Sequence, residues 1–147
     1  VLHTWYWGDR HRDVFLGPER AARIRPLRSA EERGLRFTLH ADTPVVPLEP
    51  LRIVWAAVNR RTTSGAVLGP EQRIGVMRAL RAVTVDAAWQ HFEEATKGSL
   101  EPGKLADLVI LSRSPLEDPA SIDRIRVLET IVGGETVWRA DREAGER

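Results

Sequence analysis

The chain has 147 residues, 42% of them hydrophobic, with 22 basic and 21 acidic side chains and a formal net charge of +1. That is enough apolar material for one packed domain or part of a larger one, and too little charge excess to mark nucleic acid as a partner. The absence of cysteine excludes a disulfide framework and any thiolate metal site, and a reducing, cytoplasmic setting fits it.

No apolar run approaches the roughly 18 residues of a membrane span, so no membrane partner is expected. The opening VLHTWYWGDR also lacks the sections of a secretion signal. In chain order, Val1–His3 reads as the tip of a strand entered midway, and with no initiating methionine the chain is taken to be a fragment or a processed product. FLGPERAARIRPLRSAEERG is a helical connection, with Pro18 suited to a first turn, Pro26 an interruption and Gly34 a C-terminal stop. Its mixed charges read as a solvated helix face rather than a phosphate site. LRFTLHAD then alternates with a period of two, placing Leu35, Phe37 and Leu39 on one face and Arg36, Thr38, His40 and Asp42 on the other.

TPVVPLEP is a proline-stiffened loop, and LRIVWAAVNRR returns to helical spacing through Leu51, Val54, Trp55 and Val58. Strand, helix, strand, helix in this order argues for parallel α/β units. After the loop TTSGAVLGPEQR, a helix is expected over VMRALRAVT with Gly75 as a weak cap, and another over DAAWQHF capped by Asp86. Composition shifts near Lys97, where Glu101-Pro102-Gly103 turns the chain into the β-rich run Leu108–Leu111. VLETIVGGETVWR is two alternating runs about Gly133-Gly134, a hairpin signal because both glycines take positive φ freely. The tail ADREAGER is charged and expected to fray.

Asp42 is the first candidate for chemistry, since an acid at the C-terminal end of a parallel strand sits where α/β barrels place catalytic groups. Turning the chain or capping a backbone N–H is the competing role for an aspartate before Thr-Pro. His40 lies two residues back on the same face, where it is a ligand, a proton carrier or a hydrogen-bonded filler. His3 is followed by TWYWGD, whose aromatics, Trp7 among them, could wall a substrate pocket or pack against other protein. His11 and His91 have helix-surface or loop settings. One aspartate and two loosely spaced histidines fall short of the three or four ligands a zinc ion needs, and neither a G-x-S-x-G elbow nor a phosphate loop is present.

Taken together, RFTLHADTPVVPLEPLRIVWAAVNRRT, LRAVTVDAAWQHFEE and above all KGSLEPGKLADLVILSRSPL with VLETIVGGETVW resemble the C-terminal portion of the amidohydrolase superfamily. The branch most resembled is amidohydrolase family 3, the YtcJ-like metal-dependent hydrolases, over about His3 to Trp138. GSLEPGKLADLVIL is the most specific part, though structural rather than catalytic.

The resemblance implies an α/β fold, the C-terminal fragment of a (β/α)8 TIM barrel joined to strands of a composite β-sandwich. Val1–His3 would close the seventh barrel strand, Leu35–Asp42 would be the eighth, and Leu51–Arg60 the helix after it. Residues 1–96 would then be barrel, 97–140 sandwich and 141–147 a charged tail. It implies a divalent metal, zinc foremost, with Asp42 as metal ligand and proton shuttle, and His3, Trp7 and His40 against a small amide-type substrate. The other metal ligands of the family, an H-x-H among them, have no counterpart in the chain. The fragment alone is expected to be inactive and to expose apolar strand edges, which leaves room for a homo-oligomer. Gly75 and Glu49 stand where better caps are usual, a matter of about 1 kcal/mol each. A self-standing α/β module with a binding or scaffolding role is the alternative.

Overall fold

The computed structural model describes residues 2–141. The seven residues beyond these limits include Val1 and all but the first of the expected tail, so that part of both expectations lies outside the described residues. In order, the chain forms helices α1 (Leu2–Tyr6), α2 (Gly8–Arg10), α3 (Gly17–Ala22), α4 (Leu27–Glu32), α5 (Pro50–Asn59), α6 (Val76–Val83) and α7 (Val85–Gln90). Strands β1 (Leu108–Leu111), β2 (Val127–Val132) and β3 (Glu135–Arg139) follow. A wide turn, His11–Phe15, continues α2, and a 3₁₀ stretch, Pro119–Arg124, precedes β2.

The first expected strand is a helix instead. Trp7 N–H donates to the His3 carbonyl at 2.8 Å, and Thr4 and Gly8, four residues apart and hence on one helical face, are both buried. A Cβ at Gly8 would stand 2.6 Å from Thr62 Cγ2, so α1 and α2 lie tight against the segment that follows α5. The run of aromatics, with no clear period, hid this helical start.

The second expected strand keeps its alternation without a ladder. Leu39 and Ala41 are buried and Phe37 partly so, while His40 and Asp42 are exposed. The inward residues pack with α5 and α6, and Leu39 N–H reaches the Ala82 carbonyl at 3.3 Å. Among the described residues, the parallel pairing expected for the first half of the chain is not formed, and the hydrogen-bonded sheet is antiparallel throughout.

Helix α5 is the centre of the core. Instead of one apolar stripe, the consecutive residues Ile53, Val54, Trp55, Ala56 and Ala57 are buried, because α1, α6 and the 119–124 stretch all pack on it. Full burial of a side chain such as Ile53 or Val54 contributes about 1.5–3 kcal/mol. Trp55 Nε1 donates to the Ala120 carbonyl at 2.9 Å and Asn59 Nδ2 to that of Pro119 at 2.8 Å, while Ile122 and Ile125 enter the same cluster. Residues on both sides of Lys97 thus share one core.

Glu49 precedes α5 without capping it and pairs with Arg52, and Gly75 offers α6 no side-chain cap. Asp86 is not the cap of α7. It lies in the first turn, buried, where its carboxylate accepts from Arg78 at 2.6 Å and faces Arg36 at 3.5 Å.

The sheet has the order β1-β2-β3. The β2–β3 turn is the expected one, with Gly133 at φ 58° and Gly134 at φ 86°. Its amides are tethered back to the loop before β1: Gly133 N–H donates to Asp107 Oδ1 at 2.8 Å and Gly134 N–H to the Ala106 carbonyl at 3.1 Å. Val109, Val132, Val137 and Trp138 remain exposed on the sheet. No helix among the described residues is long and apolar enough to cross a membrane.

Candidate functional site

The extended segment ends at Asp42, which turns the chain with φ 64°, a left-handed conformation that aspartate tolerates better than most residues. Its carbonyl accepts from Val45 N–H at 2.9 Å, so the backbone of Asp42 does turn the chain, leaving the carboxylate for other contacts. That carboxylate is half exposed and stands 3.5 Å from Nε2 of His3, which α1 delivers from the start of the chain. Nε2 is itself buried and makes no hydrogen bond; 3.5 Å with no bonding geometry is proximity only.

The other imidazole nitrogen is occupied. A terminal guanidinium nitrogen of Arg25 lies 2.9 Å from His3 Nδ1. Burial is the main cause lowering the pKa of His3, the charge of Arg25 adds to it, and Asp42 pulls the other way. Burial likewise lowers that of Arg25, with Asp42 opposing. Arg25 sits in the turn between α3 and α4 at φ 47°, and a second arginine holds this turn.

Arg60, the left-handed residue that ends α5 at φ 52°, is fully buried. Its Nε donates to the Leu68 carbonyl at 2.7 Å, and its terminal nitrogens donate to the carbonyls of Arg25 at 3.1 Å, Ile24 at 2.9 Å and Ala22 at 3.3 Å. Burial brings its pKa down to about 10 against the pull of Glu71. A planar fork of five donors satisfies these four carbonyls at once, one more than the three donors of a lysine could serve.

An open recess of about 340 Å³ lies beside this group, lined by His3, Trp7, Arg10, His11 and Phe15. The Arg10 guanidinium stands over the rings of Trp7 at 5.3 Å and Phe15 at 5.4 Å. Of the expected aromatic wall Trp7 is in place, whereas Trp5 lies under Arg52 at 4.7 Å and Tyr6 is exposed. His40 stays exposed on the Asp42 side of its segment, and its charge acts on His3 in the same sense as Arg25. Asp9, next to Arg10 in α2, ties this helix to the segment after α5, accepting from Ser64 Oγ at 2.9 Å and Ser64 N–H at 3.2 Å.

A carboxylate oxygen and an imidazole nitrogen are donors that suit a divalent cation such as zinc. Asp42 fits that use through its half-exposed oxygens. The described residues contain no cluster of three such side chains, so by themselves they do not make up a metal site.

Sequence reading placed His3 and Asp42 separately and passed over Arg25 and Arg60. Arg25 lies among mixed charges that read as solvated surface, Arg60 closes a helix read only for its apolar spacing, and the carbonyls that Arg60 serves in the α3–α4 turn are 35 to 38 residues away. The αL end of α5 and the R-I-R-P turn are the local signals, and neither reveals a partner.

A model of the amidohydrolase family matches residues 1–138. The chain is 36% identical over 110 residues to an N-substituted formamide deformylase of Arthrobacter pascens, which covers 74% of this chain and 20% of that protein. It is 36% identical over 125 residues to the protein LONG AFTER FAR-RED 3 of Arabidopsis thaliana, covering 84% of this chain and 21% of that one. Among solved structures, an amidohydrolase from Thermotoga maritima superposes with a TM-score of 0.59 at 24% identity, over 78% of this chain and 26% of that chain. The chain therefore spans about a fifth of the length of these two relatives and about a quarter of that structure.

Proposed function

The chain belongs to the amidohydrolase family, and from this premise we propose that the complete protein uses water to hydrolyse a C–N bond in a small amide-type substrate, with Asp42 taking the proton of the attacking water. Residues 1–96 are the end of a (β/α)8 barrel in this reading, 97–140 a sandwich segment, and the setting cytoplasmic. Asp42, with ligands elsewhere in the complete protein, would hold a divalent cation, which would supply carbonyl polarisation and lower the pKa of the attacking water.

The residues of this chain do the remaining work. Asp42 accepts the water's proton through its exposed oxygen and returns it to the leaving nitrogen, a transfer that requires a carboxylate within hydrogen-bond reach of both. Trp7 and the face of the His3 ring wall the substrate, and His40 approaches from the Asp42 side. One observation carries this reading: a half-exposed carboxylate at the end of the extended segment, held in a left-handed turn and met by an imidazole from the far end of the chain.

An amide-hydrolysis screen on the complete protein, followed by Asp42→Asn, tests it. The asparagine keeps the shape and removes the proton acceptor, so turnover should fall by about 10²–10⁴-fold, and a chelator should abolish it. Unchanged turnover in Asp42→Asn removes Asp42 from the mechanism.

A further inference from the structure

We infer that Arg25 is a positioning residue: it fixes His3 as the neutral tautomer that carries its proton on Nε2, the ring nitrogen nearest the Asp42 carboxylate. A guanidinium has five donors and no acceptor. At 2.9 Å from His3 Nδ1 it can only donate, so Nδ1 must offer its lone pair and the single ring proton must lie on Nε2. The neighbour on the other side is compatible with this, because the group nearest Nε2 is an acceptor, Asp42 Oδ2 at 3.5 Å. An imidazolium would set an Nδ1–H against the guanidinium, and the Nδ1–H tautomer would leave Nε2 with a lone pair pointed at a carboxylate.

The same logic removes Nε2 of His3 from the metal ligands, since a ligating nitrogen needs its lone pair. The chain of contacts begins deeper in the fold. Arg60 donates to the carbonyls of Ala22, Ile24 and Arg25, which braces the left-handed turn from which the Arg25 side chain reaches His3. Arg60 thus holds the Arg25 backbone, Arg25 sets the His3 ring, and His3 keeps its proton on the side nearest Asp42.

The kinetic consequence rests on the reading of Asp42 as proton acceptor; the tautomer does not. The test is a long-range ¹H–¹⁵N correlation spectrum of the imidazoles in the complete protein at about pH 8, above the ordinary imidazole pKa, with the His3 signals identified by their loss in His3→Gln. Native His3 should show an unprotonated Nδ1 and a protonated Nε2, and Arg25→Met should move it towards a mixture of tautomers. A proton on Nδ1 in the native protein, or identical patterns in native and Arg25→Met, overturns the inference.

Where the complete protein hydrolyses an amide, Arg25→Met should lower kcat by about 10–100-fold, as loss of an orienting partner does, and Arg25→Lys, which keeps one donor, should recover part of it. Equal kcat in native and Arg25→Met also overturns the positioning role. If Arg25→Met fails to fold, the native spectrum and Arg25→Lys carry the test. If no amide is hydrolysed, the spectrum still decides the tautomer, so failure of the catalytic reading is distinguishable from failure of this one.

Discussion

Replacing Arg60 by methionine separates the need for a donor from the need for bulk. Methionine has similar reach, meets the same φ of 52° and fills much of the same space, so backbone strain cancels and little cavity forms. What disappears is the donor array on the carbonyls of Leu68, Arg25, Ile24 and Ala22. At the low end of the range for a charged donor, about 1.5 kcal/mol per bond, those contacts are worth about 6 kcal/mol. Opposing them is the burial of a charge. A pKa brought from 12.5 to about 10 corresponds to about 3 kcal/mol, which methionine recovers. The net expectation is a loss of about 3 kcal/mol, or about 6–12 °C in Tm for a chain of this size. Urea unfolding followed by far-UV circular dichroism measures it, with an unchanged m-value required for the comparison. A loss below about 1 kcal/mol, or a gain, would refute the idea that these carbonyls depend on the guanidinium.

Gly69 should be intolerant for a related reason. At φ +61° an added Cβ would stand 1.9 Å from the Ala22 carbonyl oxygen, whereas Gly65, at φ +85°, has nothing within 4 Å. Gly65→Ala should cost about 1 kcal/mol of strain and Gly69→Ala about 3 kcal/mol or more, because the α3–α4 turn must also move; thermal melts that fail to separate the two would contradict the contact. The Asp9 tether should be acid-sensitive. Burial is the largest influence and raises its pKa, but the hydrogen bonds from Ser64 and the charge of Arg12 are among the causes that outweigh it and hold the carboxyl below its ordinary 3.8. A depressed pKa in the fold contributes stability that is complete above about pH 4 and is lost as pH falls through the folded value. Asp9→Asn should therefore be less stable at neutral pH and show a shallower loss of stability on acidification below pH 4, read by denaturation at fixed pH values.

Much of the architecture was legible in local chemistry. Pro18, Pro26 and Gly34 punctuate the helical connection as read, the Leu51–Val58 spacing marks α5, and the paired glycines place the β2–β3 turn. Each of these signals is satisfied within a few residues of itself. The alternation of residues 35–42 was also legible, but pairing is a property of neighbours, and periodicity alone cannot supply them. Helix α1 was hidden because an aromatic run carries no clear period, and its buried face, Thr4, is a polar residue.

The site was legible one residue at a time. Asp42, His3 and Trp7 could be singled out by type and position, whereas the contact of His3 with Asp42 and the roles of Arg25 and Arg60 in the α3–α4 turn depend on closures of 22 to 39 residues that no local pattern encodes. Asp86 shows the same limit: a helix-start aspartate is a reasonable cap until two arginines from other segments claim it.

Tips of two-residue hairpins are a common choice for inserting an epitope tag, since they are exposed and distant from function. Here the Gly133-Gly134 tip is a poor choice. Both of its amides bind Ala106 and Asp107, so the loop that feeds β1 is clamped to the turn that joins β2 to β3. An insertion would release that clamp and free β1 to slide by a residue, exchanging the outward and inward sides of Leu108–Leu111. Leu111 would then leave the cluster it shares with α5, and a cosmetic edit at the periphery would be felt in the middle of the protein.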